Sequence, residues 1–214
     1  MNINGVIFDM DGVIFDTERI YLQVWTEVFK KYGHEMTKDF YLPLMGQGTE
    51  NIKRILFDKY GDKLPIEKMY KEKDEKLMNI VRNGLVPLKD GAEDVLKYLK
   101  NKGYKIALAT SARQERLQLQ LTEDNVKKYF AAIVCSNDVK NAKPAPDIFL
   151  KAAENIDVEA SNCIVIEDSS SGIKAAYNAS MVSFHVEDLK EADEEIKKYS
   201  DKQLKNIREI MNYL

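Results

Sequence analysis

The chain has 214 residues, of which 44% are hydrophobic and 31% charged, so it can bury a core that folds without disulfides or structural metals. Its 32 basic and 35 acidic residues give a net charge of −3, which argues against nucleic acid or an anionic membrane as a partner. The longest apolar run, Tyr129–Cys135, is far shorter than the ~20 residues of a membrane span, and two cysteines without a signal-like leader favour a soluble cytoplasmic protein.

Buried strands are predicted from short apolar runs that lack polar alternation, as in a parallel sheet covered on both faces. In chain order these runs are Gly5–Asp9, Lys105–Thr110, Ala132–Ser136, Cys163–Glu167 and a weaker fifth, Met181–Val186. Helices are predicted at Asp90–Lys102, which ends before Gly103, and at Asp147–Asn155, which follows the stiff Pro144–Pro146 segment. The run Glu187–Lys205 mixes both charge signs and is typical of a solvated helix face. The alternation of strands and helices predicts a doubly wound, mostly parallel α/β fold.

A long helical stretch interrupts this alternation after the first strand. Helical apolar spacing recurs in three segments, Thr17–Tyr32, Thr49–Tyr60 and Pro65–Arg82. Three helices are too many for a connection, which usually takes a handful of residues. The sequence therefore predicts a separate helical domain at 17–85, inserted into an α/β core made of 1–16 and 86–214. The crossings between the two would act as hinges.

Carboxylates follow two of the predicted strands. Asp9 and Asp11 end the first strand, and Glu167 and Asp168 end the fourth. Because ligands of open parallel sheets bind beyond the carboxyl ends of the strands, these acids can share one crevice, where they would repel each other without a cation. Carboxylate oxygens suit Mg²⁺. The competing interpretations are an ordinary Asp-Gly turn and helix capping by Asp168 or Ser169.

Two further strand ends carry groups that could hold an anion. The second strand ends in Thr110-Ser111, where a hydroxyl and the N–H groups of a helix start suit phosphate. Lys143 precedes Pro144-Ala145-Pro146 after the third strand and could neutralise phosphate beside the acids. Each signal alone is weak, because Ser and Thr are common helix caps and a loop lysine is usually solvated.

The ordered set of acid, hydroxyl, lysine and acid resembles the haloacid dehalogenase superfamily of phosphotransferases. The matching pieces are Phe8–Thr17, Ala109–Ser111, Lys143–Asp147 and Ile166–Ser169, which span nearly the whole chain. The helical insertion directly after Asp16-Thr17 looks like the cap of the β-phosphoglucomutase-like subfamily.

The resemblance implies a role for each strand-end residue. Asp9 would be the nucleophile and form an aspartyl-phosphate, and Asp11 would protonate the leaving oxygen and then deprotonate the attacking water. Mg²⁺ would be held by Asp9, the main-chain carbonyl of Asp11 and Asp168, with Glu167 close behind. Three residues would hold the phosphoryl oxygens: Thr110, Ser111 and Lys143.

The insertion departs from the mutase pattern. Tyr21 occupies the position of a histidine in the mutase, and Thr49 that of an arginine that grips the second phosphate of the substrate. Loss of a bidentate phosphate clamp favours water as the acceptor. Lys73 matches a cap lysine of the family and would contact either substrate or solvent. Gly46 and Gln47 lie in a loop expected to enter the site.

The function predicted from these residues is that of a Mg²⁺-dependent phosphatase for a small phosphomonoester, most simply a sugar phosphate. The alternative is a β-phosphoglucomutase-like sugar-phosphate mutase. A phospho-acceptor signalling module is more distant, because receiver domains carry the phospho-acceptor after their third strand. We expect a monomer.

Overall fold

A computed structural model describes residues 3–45, 49–122 and 125–214. The chain divides into two compact units. One comprises the residues up to Asp16 together with Pro87–Leu214, and the other is the continuous segment Thr17–Val86.

A six-stranded sheet forms the centre of the discontinuous unit. Its strands are β1 (Gly5–Phe8), β2 (Lys105–Ala109), β3 (Ala132–Val134), β4 (Cys163–Glu167), β5 (Val182–Val186) and β6 (Lys202–Leu204). All neighbouring strands pair in parallel, in the order β3-β2-β1-β4-β5-β6. The predicted doubly wound α/β fold is confirmed. Because β1 and β4 are buried along their whole length, their continuous apolar character follows from their central place in the sheet.

The described residues form nine α-helices. They are α1 (Thr17–Lys31), α2 (Lys38–Tyr41), α3 (Thr49–Tyr60), α4 (Ile66–Arg82), α5 (Ala92–Asn101), α6 (Gln114–Gln120), α7 (Asp147–Asn155), α8 (Ser170–Asn178) and α9 (Glu194–Tyr199). None of these helices is both long enough and apolar enough to cross a bilayer.

Alternate residues of the central strands build the core of the discontinuous unit. Ile7 and Val165 are fully buried in one cluster with Phe149 of α7 and Ala175 of α8. Because successive side chains of a strand point to opposite faces, Phe8 belongs to the other face of the sheet, where it is also fully buried.

The helical unit has its own aromatic core. Helices α1 and α4 pack together. The Trp25 ring lies edge-on to Phe29 and Tyr70, with ring centroids 5.7 and 5.0 Å apart. Trp25 is 5% exposed, so its position on the apolar stripe of α1 reflects packing.

Several predicted elements differ from the structure by a residue or more. Strand β2 ends at Ala109 rather than Thr110. Strand β3 ends at Val134 rather than Ser136, because the Asp138 carboxylate accepts the Cys135 N–H at 2.8 Å and folds the chain into a 3-10 turn. The run 187–205 is not one helix face, since it contains the short helix α9 and the edge strand β6.

Candidate active site

The sheet places Asp9 next to the end of β4. Phe8 is in register with Leu108 on β2 and with Ile166 on β4. The Asp9 N–H continues this ladder by donating to the Ile166 carbonyl at 2.9 Å. The strand order reverses between β1 and β4, which is where open α/β sheets bind their ligands. Receiver-type sheets follow the order 2-1-3-4-5, so this strand order does not support the signalling-module alternative.

Lys143 lies between two carboxylates at this edge. Its Nζ donates to Asp9 Oδ1 at 2.5 Å and to Glu167 Oε1 at 2.7 Å. A longer contact, 3.4 Å, joins Nζ to the carbonyl oxygen of Ala109. The side chains of Lys143, Asp9 and Glu167 are only 5%, 9% and 1% exposed. This burial argues against the competing interpretation of a solvated loop lysine.

Burial and neighbouring charges shift the pKa values of Asp9 and Lys143. Burial raises the pKa of Asp9 to about 7; the neighbouring Glu167 and Asp11 carboxylates act in the same direction, and Lys143 opposes them. Burial alone would lower the pKa of Lys143, but the two carboxylates beside it raise that pKa above its usual value. The Lys143 ammonium therefore stays charged, and the acidic side chains around it outnumber this single cation.

Glu167 is fixed by the start of α8. Its Oε2 accepts hydrogen bonds from the Ser169 backbone N–H at 2.6 Å and from the Ser169 hydroxyl at 2.9 Å. Ser169 in turn caps α8 by accepting the Gly172 N–H at 3.1 Å. A Cβ at Gly172 would lie 1.7 Å from Glu167 Oε1, so only glycine leaves room for this carboxylate. The predicted capping by Ser169 and the carboxylate cluster are parts of one arrangement.

Asp168 and Asp11 complete the acidic edge. Oxygen atoms of Asp9, Glu167 and Asp168 all lie within 4.8 Å of one another. The Asp11 backbone N–H donates to Asp9 Oδ2 at 2.9 Å. Gly12 has a φ of +73°, and a Cβ there would lie 2.2 Å from Asp168 Oδ2, so the turn after β1 needs glycine to approach Asp168.

Thr110 and Ser111 differ in their surroundings. Thr110 is fully buried, and its hydroxyl oxygen accepts the Ala112 N–H at 3.0 Å. Because the oxygen accepts from the backbone, the hydroxyl proton can be donated to a ligand. Ser111 is exposed. The neighbouring Ala109 carbonyl contacts Lys143, so the end of β2 lies at the same edge as the acids.

Lys73 lies in the helical unit, where its side chain is 11% exposed. Its Nζ is 2.5 Å from Asp74 Oδ1 and lies 5.2–5.7 Å from the centroids of three aromatic rings, those of Tyr21, Trp25 and Tyr70. The ammonium is thus held over aromatic faces. A substrate contact by Lys73 stays a prediction. Gly46 and Gln47, also predicted to contact substrate, lie outside the described residues.

Two more residues lie at this edge of the sheet, where the sequence did not predict them. Arg116 on α6 forms an ion pair with Asp11. His185 on β5 is fully buried, and its Nε2 lies 3.2 Å from the carbonyl oxygen of Asp168. Burial lowers the pKa of His185. His185 pairs in register with Glu167 of β4, so strand pairing was the signal that could have found it.

Comparison with known proteins agrees with this geometry. The model of the haloacid dehalogenase-like hydrolases matches residues 6–186. The chain is 34% identical over 177 residues to a phosphorylated carbohydrates phosphatase of Thermotoga maritima, covering 83% of this chain and 82% of that protein. It is 32% identical over 193 residues to the β-phosphoglucomutase of Bacillus subtilis, covering 86% of this chain and 83% of that enzyme.

A solved structure from Thermotoga maritima, described as a candidate β-phosphoglucomutase, shares the fold. It superposes with a TM-score of 0.78 at 31% identity, over 99% of this chain and 98% of the other. The family match covers most of the chain and includes every strand end that carries a polar group. The chain therefore belongs to the haloacid dehalogenase-like hydrolases and is a phosphatase of that family.

Proposed function

We propose that the protein is a Mg²⁺-dependent phosphatase that hydrolyses small phosphorylated carbohydrates through an aspartyl-phosphate on Asp9. The observation that carries this proposal is the contact of the Asp9 carboxylate with the Lys143 ammonium at the end of β1, beside Glu167 and Asp168. A nucleophilic carboxylate, a cation for the phosphoryl group and acids for a metal are the parts that this chemistry needs.

The donor set fits Mg²⁺. Asp9, Glu167 and Asp168 offer only carboxylate oxygens, the ligand type that Mg²⁺ prefers. One ammonium cannot balance three acids, and burial, together with the neighbouring Glu167 and Asp11 carboxylates, raises the pKa of Asp9 against the effect of Lys143. Asp9 and Asp168 would hold the ion with the Asp11 carbonyl, and Glu167 would lie close behind. When bound, the ion would neutralise charge that develops on the phosphoryl oxygens.

Two residues would carry the bond changes. An Asp9 carboxylate oxygen attacks phosphorus, the bond to the leaving oxygen breaks, and the Asp11 carboxyl gives its proton to that oxygen. Water then attacks the aspartyl-phosphate while Asp11 takes back a proton, which releases inorganic phosphate and restores Asp9. The hydrogen bond from the Asp11 backbone N–H to Asp9 Oδ2 orients the Asp9 carboxylate. This route divides one difficult displacement into two easier ones.

Phosphoryl oxygens would be held by groups from two loops. The Lys143 ammonium supplies charge, and the Thr110 hydroxyl, which already accepts a backbone N–H, supplies a donor. Ser111 is exposed and would donate from the turn that follows β2. Since phosphoryl transfer depends mostly on positioning and charge, this set of donors can account for most of the catalysis.

Carbohydrate phosphates are the favoured substrates because both curated relatives compared above bear names that refer to phosphorylated sugars. Hydrolysis is favoured over mutase activity by two positions of the helical unit. Thr49 offers no charge where the mutase resemblance places an arginine, and Tyr21 replaces a histidine. Lys73 could supply one point charge, but it lacks the planar fork of a guanidinium.

The test of the chemistry is a phosphate-release screen over sugar, polyol and nucleotide monophosphates, with Mg²⁺ or with EDTA. The wild-type chain should turn over repeatedly with Mg²⁺ and lose activity in EDTA. Asp9→Asn should abolish turnover without unfolding the protein, because it removes the nucleophile at constant side-chain size. The control is Asn51→Asp on α3, which exchanges the same two residue types in the helical unit. Near wild-type turnover in Asp9→Asn would exclude the aspartyl-phosphate.

Phosphorus NMR with β-glucose 1-phosphate separates the phosphatase from the mutase. Inorganic phosphate should be the main product. Predominant conversion to glucose 6-phosphate would show that Tyr21 and Thr49 do not open the intermediate to water, and the mutase interpretation would be correct.

A further inference from the structure

Arg116 reaches the acidic edge from α6, the helix that follows β2. It donates from Nη2 to Asp11 Oδ1, although the two residues are 105 positions apart in sequence. The side chains of Arg116 and Asp11 are only 14% and 22% exposed. An ion pair so shielded from water holds its geometry better than a surface pair, whose energy is small.

Gln120 braces the guanidinium from the next turn of the same helix. Its Oε1 accepts from Nε and from Nη2 of Arg116, both at 3.2 Å. Gln120 is only 5% exposed. Because a guanidinium has donors and no acceptor, the amide must turn its oxygen toward Arg116. The arginine is therefore fixed on two sides, by Asp11 and by Gln120.

The contact leaves the second oxygen of Asp11 available for proton transfer. Arg116 engages Oδ1, so the proton that passes to the leaving oxygen would be carried on Oδ2. Without the guanidinium, rotation about the Cβ–Cγ bond would exchange the two oxygens and aim the proton elsewhere. Fixing the Asp11 carboxyl group matters because its proton must reach one particular oxygen of the substrate.

We propose that Arg116, braced by Gln120, is a positioning residue that orients Asp11 for proton transfer to the leaving group. This inference rests on the proposed function, since it assigns a partner to its acid–base residue. It assigns Arg116 no direct role in binding the phosphoryl group, since its Nε and Nη2 donate to an amide oxygen and a carboxylate.

The experiment compares two leaving groups in Arg116→Met. One substrate is the best sugar phosphate of the screen, whose alkoxide leaving group needs a proton, and the other is p-nitrophenyl phosphate, whose phenolate does not. The kcat/KM for the sugar phosphate should fall about 10- to 100-fold, within the range of general acid catalysis, and that for p-nitrophenyl phosphate by less than about 3-fold. Asp11→Asn should show the same pattern, and the double variant should lose little more.

Matched variants separate positioning from other effects. Arg208→Met removes an arginine with two surface ion pairs from the same unit, and it should leave both kcat/KM values within about 2-fold. Gln120→Met keeps the charge of Arg116 but removes its brace, so it should give a smaller loss with the same leaving-group dependence. If Arg116→Met does not fold, Gln120→Met and Arg116→Lys provide the same comparison.

Three results would overturn the inference alone. They are an equal loss on both substrates, no loss on either, and weaker inhibition by inorganic phosphate, which would show that Arg116 binds the phosphoryl group. A wild-type chain that hydrolyses neither substrate would instead overturn the proposed function, and the inference with it.

Discussion

Replacing Lys143 by methionine tests the charge arrangement of the site in the absence of metal. Methionine keeps most of the length of the side chain and removes its charge. The Lys143 ammonium now donates to Asp9 at 2.5 Å and to Glu167 at 2.7 Å, and all three side chains are less than a tenth exposed. The variant leaves two buried carboxylates without their cation.

The expected loss of stability follows from the burial of these side chains. Removing one partner of a buried ion pair costs about 3–5 kcal/mol in the free energy of unfolding, because the remaining charge is neither solvated nor paired. For a chain of about 200 residues, each kcal/mol lowers the melting temperature by about 2–4 °C. We therefore expect Lys143→Met to melt about 6–20 °C below the wild type at pH 7 in EDTA.

Circular dichroism melts and urea titrations measure the loss. The control is Lys151→Met on α7, whose ammonium pairs with Glu154 at 2.8 Å where the two side chains are 42% and 71% exposed. Such a surface pair contributes about 1 kcal/mol or less. Millimolar Mg²⁺ should raise the melting temperature of Lys143→Met more than that of the wild type, because no ammonium competes with the ion. Equal melting temperatures for the two variants in EDTA would refute the charge argument.

Three further predictions concern the edges of the site and the fold. Gly172→Ala should lose about 1–3 kcal/mol in urea titrations, because its Cβ would lie 1.7 Å from Glu167 Oε1, and wild-type stability would contradict the close approach. Asp168→Ala should need far more Mg²⁺ or lose turnover, whereas the exposed Asp157→Ala should not; equal activity in EDTA and in Mg²⁺ would rule out the metal. Burial raises the pKa of Asp193, but its hydrogen bonds prevail and lower it to about 2. Its contribution of about 1–2 kcal/mol, discounted for partial exposure, should be present above pH ~4 and vanish as pH falls through 2, so that Asp193→Ala and the wild type converge in acid-unfolding curves.

Elements whose residues are buried on a regular face could be predicted from the sequence. Strand β4 and helix α7 have the predicted bounds because buried apolar residues occupy them, and helix α3 also has them, although only Leu56 is buried there. Strand β6 could not be predicted. Only Leu204 of its three residues is buried, and an edge strand formed by pairing with β5 leaves almost no apolar pattern in the sequence.

The same distinction holds for the candidate site, where some residues could be predicted from the sequence and others could not. Asp9 and Glu167 stand at the ends of apolar runs, so their common edge follows from the parallel sheet alone. Arg116 stands in a short polar helix, and no spacing rule distinguishes an arginine that turns inward from a solvated one. The contact with Asp11 depends on how α6 packs after β2, which is tertiary information.

The central position of β1 also has a consequence for synthesis of the protein on the ribosome. Both of its partner strands, β2 and β4, begin a hundred or more residues after it along the chain. The contiguous helical unit Thr17–Val86 can pack while β1 is still an unpaired apolar segment. The nascent chain must therefore keep Val6, Ile7 and Phe8 from aggregating until β4 emerges. Asp9 and Glu167 can share the Lys143 ammonium only then, because the sheet that brings them together needs both strands.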